Sequence, residues 1–413
     1  MSNISLSILQ NEDAFFVKLA YRLLYVAILL SGFVLFEPAP FDLLILLTIF
    51  IILFNGFVFP IQIKWVFVIA FVHLVGNFIS VLVSTRFADS YMHMIITTYM
   101  ILFAIGIIIM VYNDPYKILD IIMKAYVWAA LISTILAIMG YFHIGPTYDL
   151  FTLYGRAKGG FKDPNVFGPF IVPPMLYLVD RIIHSDLKKK IVPIMMISVL
   201  FLGLLLSFSR GAWGMFFFST LFLIVTMYYT SKTNRFRVEL TLYILIALTI
   251  LAIGLLIAIN IPAIANLLSE RASLTQSYDV EEGGRFTHHV DAFKILIENP
   301  WGIGAKEFGW SHGEDVHNSY LTAFLIGGWL GGFTFLLIIL STVIVGFKYC
   351  FNQHTLRRQF VFFYAAFLGL MVEAWIIDVD HWRILYIAMG YMWGIILYQK
   401  YHPKSQNKIH SLY

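Results

Sequence analysis

Apolar runs long enough to cross a bilayer alternate with short polar segments along almost the whole chain. A membrane-spanning helix needs about 20 mostly apolar residues, and this criterion predicts about twelve spans. The run at Tyr320–Phe347 contains the glycine-rich stretch GGWLGG, which predicts a bent or broken helix. The predicted spans are Phe15–Phe36, Phe41–Phe59, Trp65–Thr85, Tyr91–Tyr112, Leu119–Tyr141, Val166–Ile183, Ile191–Leu206, Ala212–Tyr229, Leu240–Asn260, Tyr320–Phe347, Val361–Ile377 and Ile384–Gln399.

Basic residues sort to one side of this predicted layout. With an even number of spans the two termini share a side, which also receives the segments SDLKKK, SKTNRFR and KYCFNQHTLRR. The positive-inside rule makes this side cytoplasmic. The longest segment between spans, residues 261–316, then lies on the outer side between the ninth and tenth spans. We predict one integral membrane domain over residues 1–413, with both termini in the cytoplasm.

The long outer segment contains an amphipathic helix rather than only disordered chain. In RFTHHVDAFKILIENP, the apolar residues Phe286, Val290, Phe293 and Ile297 recur at helical spacing on one face. The Asn299-Pro300 pair predicts the end of this helix, because a residue before proline avoids the α conformation. A loop this long with its own helix is typical of a functional segment.

Composition supports the membrane class and excludes several kinds of chemistry. Of 413 residues, 60% are hydrophobic and 13% are charged, whereas a soluble domain is nearer half apolar and a quarter charged. The single cysteine, Cys350, excludes an intramolecular disulfide framework and a cysteine-based metal site. No H-E-x-x-H spacing, Walker loop or dinucleotide fingerprint occurs. We therefore expect no metal, no cofactor and no nucleic-acid partner.

The stretch SFSRGAWG places an arginine, Arg210, between two apolar runs on the predicted outer side. An arginine near hydrocarbon costs several kcal/mol unless something offsets it. One interpretation is that its side chain reaches lipid headgroups. The other is an anion site, in which Arg210 lies beside Ser207, Ser209 and Gly211 at the start of a helix. Free N–H groups and the helix dipole there favour a phosphate.

A second arginine, Arg285, follows the sequence EEGG and begins the predicted amphipathic helix. It has the same setting as Arg210, a helix start beneath a glycine turn. A solvated loop charge is the alternative interpretation. Two arginines on one face of the membrane favour a diphosphate ligand, because such a group needs more than one cation.

A cluster of basic residues precedes the sixth predicted span, in YGRAKGGFKDPNVFG. The cluster lies on the outer side, where the positive-inside rule does not account for it. An anionic ligand is one explanation and a solvated turn is the other. The turn before the span is predicted from its Asp-Pro-Asn sequence. The residues concerned are Arg156, Lys158 and Lys162, followed by Asp163 and Asn165.

Two further residues have side chains suited to acid–base chemistry. His317 lies where the long outer segment re-enters the membrane, and a neutral imidazole takes a proton from a hydroxyl group near neutral pH. Glu314 and Asp315 beside it could orient the ring or raise its pKa, or His317 could serve only in capping or packing. Glu373 lies within the apolar run LGLMVEAWII and is either a functional acid or a structural partner of an arginine.

Four stretches together resemble the O-antigen ligase and polymerase family of bacterial membrane glycosyltransferases. They are GRAKGGFKDPNVFG, SFSRGAWG, GGRFTHHVDAFKILIENPWGIGAKEFG and VHNSYLTAFLIGGWLGG. The last stretch has the ligase-type spacing of a histidine, a small polar residue, nine others and then Gly-x-x-Gly. In this sequence those positions are His317, Asn318, Gly328 and Gly331.

The resemblance implies a fold, a reaction and partners. The fold is an all-α polytopic membrane protein, GT-C-like, with about twelve transmembrane helices and one long periplasmic loop. The reaction is inverting, metal-independent transfer of a glycan from undecaprenyl diphosphate at the periplasmic face of the inner membrane. The acceptor of a ligase is lipid A–core, and that of a polymerase is another lipid-linked glycan. Membrane lipid surrounds the protein.

The resemblance also implies roles for residues. Arg210 and Arg285 correspond to the arginines that bind the donor diphosphate, and Arg156, Lys158 and Lys162 could add to that site. His317 corresponds to the residue that activates the acceptor hydroxyl. His289 lies near the position of an aromatic residue in the commoner pattern, so its role is open. Residues with possible supporting roles are Ser207, Ser209, Asn318, Asp163, Asn165 and Glu373.

Two other activities fit parts of the pattern. A polymerase shares the family's motifs, so the motifs only favour a ligase. A flippase or transporter for lipid-linked oligosaccharide, which belongs to a different class, would also have about twelve helices. Against a transporter, the arginines lie at one face rather than near the midplane, and no internal repeat is visible.

Overall fold

The computed structural model describes residues 13–260 and 284–402. Within these ranges the chain forms 15 helices and one small hairpin. The helices are α1 (Asp13–Leu30), α2 (Pro40–Phe54), α3 (Ile63–Val83), α4 (Phe87–Asn113), α5 (Pro115–Tyr141), α6 (Tyr148–Phe151), α7 (Pro164–His184), α8 (Leu187–Leu206), α9 (Arg210–Thr230), α10 (Asn234–Ile259), α11 (Arg285–Glu298), α12 (Glu307–His312), α13 (Ser319–Phe351), α14 (Arg357–Glu373) and α15 (Arg383–Tyr401). Strands β1 (Thr152–Leu153) and β2 (Arg156–Ala157) pair antiparallel.

The all-α membrane class predicted from the sequence is confirmed. Each predicted span coincides with one helix, although the ends differ; α1, for example, ends at Leu30 rather than Phe36. Within the described ranges, seven helices are long and apolar enough to cross a membrane. These are α3, α4, α5, α7, α8, α9 and α13. The protein is thus a multi-pass membrane protein, and the count of twelve spans stays a prediction.

The helices enclose one large apolar core rich in aromatic side chains. Its largest fully buried side chains include Tyr126, Phe167, Tyr364 and Tyr391. Many other large apolar side chains on α2, α3, α8 and α10 are exposed instead. A soluble protein rarely exposes so much contiguous apolar surface, whereas a membrane protein presents it to lipid. The packed core holds the helix ends that build the site described below.

Helix α13 is broken at Gly328, as its glycine-rich sequence predicted. Gly328 has φ 62° and ψ −168°, which is not helical. The break is filled by the segment that joins α11 to α12, because Ile303 N donates to Leu325 O at 2.7 Å and Trp329 N donates to Pro300 O at 2.8 Å. Main-chain groups freed by the break therefore bond to another segment, as buried backbone in a membrane protein requires.

The other glycines of this motif allow close helix packing. A Cβ atom on Gly76 of α3 would lie 2.7 Å from Gly327 O of α13. His73 Nδ1 also lies 3.1 Å from Gly331 O, one turn along the same interface. Small residues let two membrane helices approach at the backbone. The Gly-x-x-Gly pattern therefore supports both the break in α13 and its contact with α3.

The amphipathic helix predicted within residues 261–316 is α11. The predicted 261–316 loop is described from residue 284 onward, and residues 261–283 lie outside the described residues. The apolar face of α11 is exposed, with Val290 and Phe293 each more than half accessible. On the opposite face His288 and Ala292 are buried beside Phe308 of α12. The exposed apolar face is typical of a helix that lies at a membrane interface.

Candidate functional site

Arg210 is the first residue of α9, at the point where the chain turns out of α8. Ser207 ends α8 by donating its hydroxyl to Leu204 O at 2.6 Å. Ser209 is the N-cap of α9 and its Oγ accepts from Ala212 N at 3.4 Å. The residue between them, Phe208, has φ 47°. Both serine hydroxyls therefore shape the turn that sets the position of Arg210.

Arg156 links this turn to the start of α7. Its Nε donates to Ser207 O at 2.8 Å, and its Nη2 donates to Asn165 Oδ1 at 2.7 Å. Asp163 caps α7, because its Oδ1 accepts from Asn165 N at 2.6 Å. The predicted helix start after the Asp-Pro-Asn turn is thus present. These contacts give Arg156 a positioning role between two helix ends, beside any contact with an anion.

The two lysines of the basic cluster differ in their surroundings. Lys162 is exposed, and its Nζ lies 3.2 Å from Glu37 Oε1. Lys158 is half-buried, next to the hairpin, and its main-chain N–H donates to Phe151 O at 2.9 Å. Glu37 neutralises part of the charge of Lys162. Of the two, Lys158 is therefore the better placed to contribute positive charge to a ligand near Arg156.

Glu373, at the end of α14, lies against the first turn of α9. A Cβ atom on Gly211 would lie 2.7 Å from Glu373 Oε1. The Glu373 side chain is buried, and among the described residues its Oε2 has no hydrogen-bond partner. A buried acid without full hydrogen bonding is costly, so such a group requires an explanation. Its position next to Arg210 brings an acid and an arginine to one helix junction.

The residues after Glu373 hold the start of α13. Ser319 N donates to Ala374 O at 2.9 Å, and Asn318 Nδ2 donates to Trp375 O at 3.3 Å. Asn318 is also the N-cap of α13, because its Oδ1 accepts from the main-chain N–H groups of residues 320 and 321, both at 3.1 Å. Asn318 is therefore a structural anchor. Its neighbour His317 is fixed at the same junction.

His317 has a strained backbone and an acidic neighbour that the sequence did not single out for it. Its φ is 52°, and its Nδ1 lies 4.0 Å from Asp378 Oδ2. Glu314 and Asp315 act on the pKa of His317, as the sequence allows, whereas the carboxylate 4.0 Å from the ring comes from the turn after α14. Burial, and then the nearby Asp380 carboxylate, raise the pKa of Asp378 above its ordinary value. Strain of this kind is frequent at functional positions.

The electrostatic surroundings of His317 bring other predicted residues close to it. Burial has the larger effect and lowers the pKa of His317, and the Arg285 guanidinium lowers that pKa further. The carboxylates of Glu314, Asp315 and Asp163 act in the opposite direction. Arg285, at the start of α11, and Asp163, at the start of α7, therefore both lie within electrostatic range of the imidazole. The net effect favours the neutral ring, the form that accepts a proton.

His289 and its neighbour His288 face different sides of α11, as adjacent helix positions predict. His288 is buried against Phe308, with ring centroids 5.6 Å apart. His289 lies near His317. Burial lowers the pKa of His289, and the charge of Arg285 lowers that pKa further. Among the described residues, His289 Nε2 has no hydrogen-bond partner. His289 therefore lies beside His317, the candidate base, whereas the sequence left the role of His289 open.

An apolar groove of about 770 Å³ adjoins this junction. It lies between α11, α13 and the end of α14, and His289 and Asn318 are its polar lining residues. Its wall is otherwise almost wholly apolar. The apolar and aromatic lining residues are Phe293, Leu296, Tyr320, Leu321, Phe324, Trp329, Phe333, Leu336, Ile339, Leu340, Val343, Met371 and Trp375. The groove suits the hydrocarbon part of an amphipathic ligand whose polar part lies near His317.

The four sequence segments that carried the family resemblance therefore lie close together at this junction. Contacts run from Arg156 through the α8–α9 turn to Glu373, and from there to Asn318 and His317. Asp378 is not among the candidate site residues inferred from the sequence. It follows a helix end in an acidic turn, and only the fold shows that this turn lies beside His317.

Comparison with known proteins agrees with the motifs. The family model described as O-antigen ligase matches residues 195–336, a region that includes Arg210, Arg285 and His317. Arg156 and Glu373 lie outside the matched region. No curated protein matches the chain. Residues 195–336 thus match the O-antigen ligase family model, and the resemblance seen in the motifs is confirmed.

Proposed function

We propose that this protein transfers a glycan from undecaprenyl diphosphate to a hydroxyl group of lipid A–core at the periplasmic face of the inner membrane. One observation carries the proposal. A half-buried histidine, His317, lies in the field of Arg285, and its chain neighbour Asn318 lines an apolar groove. A base, a cation for phosphate and a site for a lipid chain thus adjoin one another.

The transfer step uses His317 as the general base. The neutral imidazole takes the proton of the acceptor hydroxyl while the acceptor oxygen attacks the anomeric carbon of the donor. The bond from that carbon to the diphosphate oxygen breaks, and undecaprenyl diphosphate leaves with the bonding electron pair. A single displacement inverts the configuration at the anomeric carbon. In its ionised form, Asp378, 4.0 Å from the ring, then stabilises the imidazolium that forms.

Arg210 and Arg285 supply the positive charge for the leaving group. Each is the first residue of a helix, so its guanidinium adds to the free N–H groups and the dipole of that helix end. Preorganised charge of this kind stabilises a developing anion strongly where water is excluded. Two guanidinium groups match the charge of a diphosphate, so the proposed transfer step needs no divalent cation.

The groove beside Asn318 accounts for the polyprenyl tail of the donor. Its lining is apolar and it opens between helices, toward the region that lipid would occupy. The tail of a polyprenyl diphosphate is too apolar for the aqueous side, whereas its glycan is too polar for hydrocarbon. A site at the boundary between the two satisfies both parts of the donor.

Complementation of a deletion strain tests the proposal. Arg210→Ala and His317→Ala should each abolish glycan transfer while the protein stays folded in the membrane. Arg235→Ala is a matched control, because Arg235 is an exposed arginine that pairs with Glu239 on α10. Near-normal long-chain glycan in both site variants would refute the proposal.

Glycolipid analysis of the deletion strain separates the alternatives. Core without repeats, with polymer accumulated on undecaprenyl diphosphate, indicates a ligase. Core that carries one repeat unit indicates a polymerase. Lipid-linked intermediates confined to the cytoplasmic leaflet indicate a flippase.

A further inference from the structure

A second cluster of titratable side chains lies outside the proposed transfer site. It consists of His93, on the first turns of α4, and the adjacent Asp380 and His381, in the turn between α14 and α15. His93 Nε2 lies 3.2 Å from Asp380 Oδ2, and His381 Nε2 lies 3.8 Å from the same oxygen. Their imidazole rings pack with centroids 4.2 Å apart. Two ring nitrogens from distant parts of the chain thus converge on one carboxylate oxygen.

This spacing matches the ligand set of a transition metal. In a tetrahedral site with metal–ligand bonds of about 2.0–2.1 Å, neighbouring ligand atoms are about 3.3–3.4 Å apart. The observed separations of 3.2 and 3.8 Å lie on either side of that value. Two imidazoles and one carboxylate are ligands that suit Zn²⁺ and chemically similar ions, and three protein ligands leave one position for water. Among the described residues, this is a group of three His, Cys, Asp or Glu side chains whose ligand atoms all lie within 4.8 Å of one another.

Thr97, one turn further along α4, lies beside both histidines. Its hydroxyl donates to the main-chain oxygen of His93 at 2.9 Å, so its lone pairs face ring nitrogens. His93 Nδ1 lies 3.4 Å from Thr97 Oγ1, and an N–H there would leave Nε2 of His93 free to bind a metal. His381 Nε2 lies 2.9 Å from the same hydroxyl and would exchange that contact for the metal.

Charge and access at the cluster also suit a cation. The nearest arginine in the sequence, Arg383, is held by Asp42, with two N–O distances of 2.7 and 2.9 Å to its Nη2. The positive charge of Arg383 is therefore balanced and does not oppose a metal at Asp380. The three side chains are 17–25% exposed, so an ion could reach them from solvent.

We propose that His93, Asp380 and His381 form a binding site for a divalent transition metal of the Zn²⁺ class. The site would join α4 to the turn between α14 and α15. That same turn holds the start of α13, because Val379 N donates to Ser319 Oγ at 2.7 Å. Bound metal would therefore fix the turn that carries Asp378 toward His317. It acts on the position of the turn, and it takes no part in the transfer step.

Metal analysis of the purified protein tests this proposal directly. The protein is purified in detergent with a tag free of histidine, incubated with ZnCl₂ or CoCl₂, and freed of unbound metal by gel filtration. We expect about one equivalent of metal per chain, and visible absorption bands of tetrahedral Co²⁺ in the cobalt form. His93→Gln, Asp380→Asn and His381→Gln should each lower the metal content by at least tenfold.

A control and a second readout keep the test decisive. His402→Ala removes an exposed histidine at the end of α15 and should leave the metal content unchanged. Zn²⁺ should raise the Tm of the wild type and of His402→Ala, but not that of the three ligand variants. Wild-type protein without stoichiometric metal or a Tm shift would overturn the proposal, and so would equal metal in all variants. Neither readout depends on glycan transfer, so failure here leaves the proposed function standing.

Discussion

Oε1 of Glu373 lies where it would be 2.7 Å from a Cβ atom on Gly211, so the acid at the end of α14 rests directly on the first turn of α9. Arg210 is the residue before this glycine. The contact connects Arg210, a residue predicted to bind the diphosphate, to the segment that anchors His317. A side chain at position 211 would have to displace the Glu373 carboxyl group.

Gly211→Ala should therefore displace Glu373 and weaken both folding and transfer. Overpacking at such a position costs about 1–3 kcal/mol, which we expect to appear as a lower Tm and as reduced glycan transfer. Gly214→Ala, one turn further along α9, is the control, because its added Cβ would meet no atom within 4 Å. The double variant Gly211→Ala/Glu373→Ala removes the clash and should regain Tm. A normal Tm in Gly211→Ala alone would contradict the contact.

The pH dependence of transfer should follow the neutral form of His317. Burial and the Arg285 charge lower the pKa of His317 below the ordinary value of 6.5, so kcat/KM should rise with pH and reach half its maximum at a pH below 6.5. Asp315 acts in the opposite direction, so Asp315→Asn should shift this acid limb to still lower pH. Transfer assays between pH 4.5 and 8, with a purified donor, measure the shift. An acid limb that moves upward in Asp315→Asn would exclude His317 as the titrating base.

His317→Ala should lower kcat by roughly 10²–10⁴-fold, the usual contribution of a general base. The protein should remain folded, because the capping of α13 depends on Asn318 rather than on the imidazole. Donor binding, measured as the KM or as a Tm shift with undecaprenyl diphosphate, should change little. A variant that loses donor binding but not kcat would assign His317 to binding instead.

If the groove binds the lipid chain of the donor, the KM for the donor should depend on the length of that chain. Phe293 lines the groove, whereas Val290 lies on the same exposed face of α11 without lining it. Phe293→Ser should raise the KM for a long-chain donor and leave the KM for a short polyprenyl donor nearly unchanged. Val290→Ser serves as the matched control for loss of apolar surface on α11. Equal effects of the two substitutions on both donors would argue against the groove as the lipid site.

Gly328→Ala should lower the Tm more than an alanine substitution at a glycine that also has a positive φ but has open space around it. A Cβ at residue 328 would lie 2.6 Å from Pro300 O, in addition to the cost of its positive φ. Gly145 also has a positive φ, 70°, and its added Cβ would have no atom within 4 Å. Gly145→Ala therefore measures the conformational cost alone, about 1–2 kcal/mol. If Gly328→Ala lowers the Tm no more than Gly145→Ala, the Pro300–Trp301 segment does not fill the break.

The sequence predicted much of the fold and part of the site. Apolar runs located the membrane helices because lipid imposes both a length and a composition on them, and the glycine-rich run correctly predicted a break in α13. Arg210 was recognisable because a charge between two apolar runs is rare, and Arg285 because it follows a glycine turn at the start of an amphipathic helix. The Asp378–His317 contact was not predictable, since it depends on how α14 ends against α13. Nor did spacing reveal His93 with Asp380 and His381, because nearly 300 positions separate them along the chain.

The break in α13 also bears on the depth of the proposed transfer site relative to the hydrocarbon layer. At a rise of about 1.5 Å per residue, the whole of Ser319–Phe351 would measure about 50 Å, well beyond a hydrocarbon layer of about 30 Å. The part from Gly328 onward measures about 36 Å and is sufficient to cross that layer alone. The shorter part before the break, with Asn318 as its cap, is thus left for the headgroup level. On this geometry a sugar attached to a lipid need never leave water to be transferred.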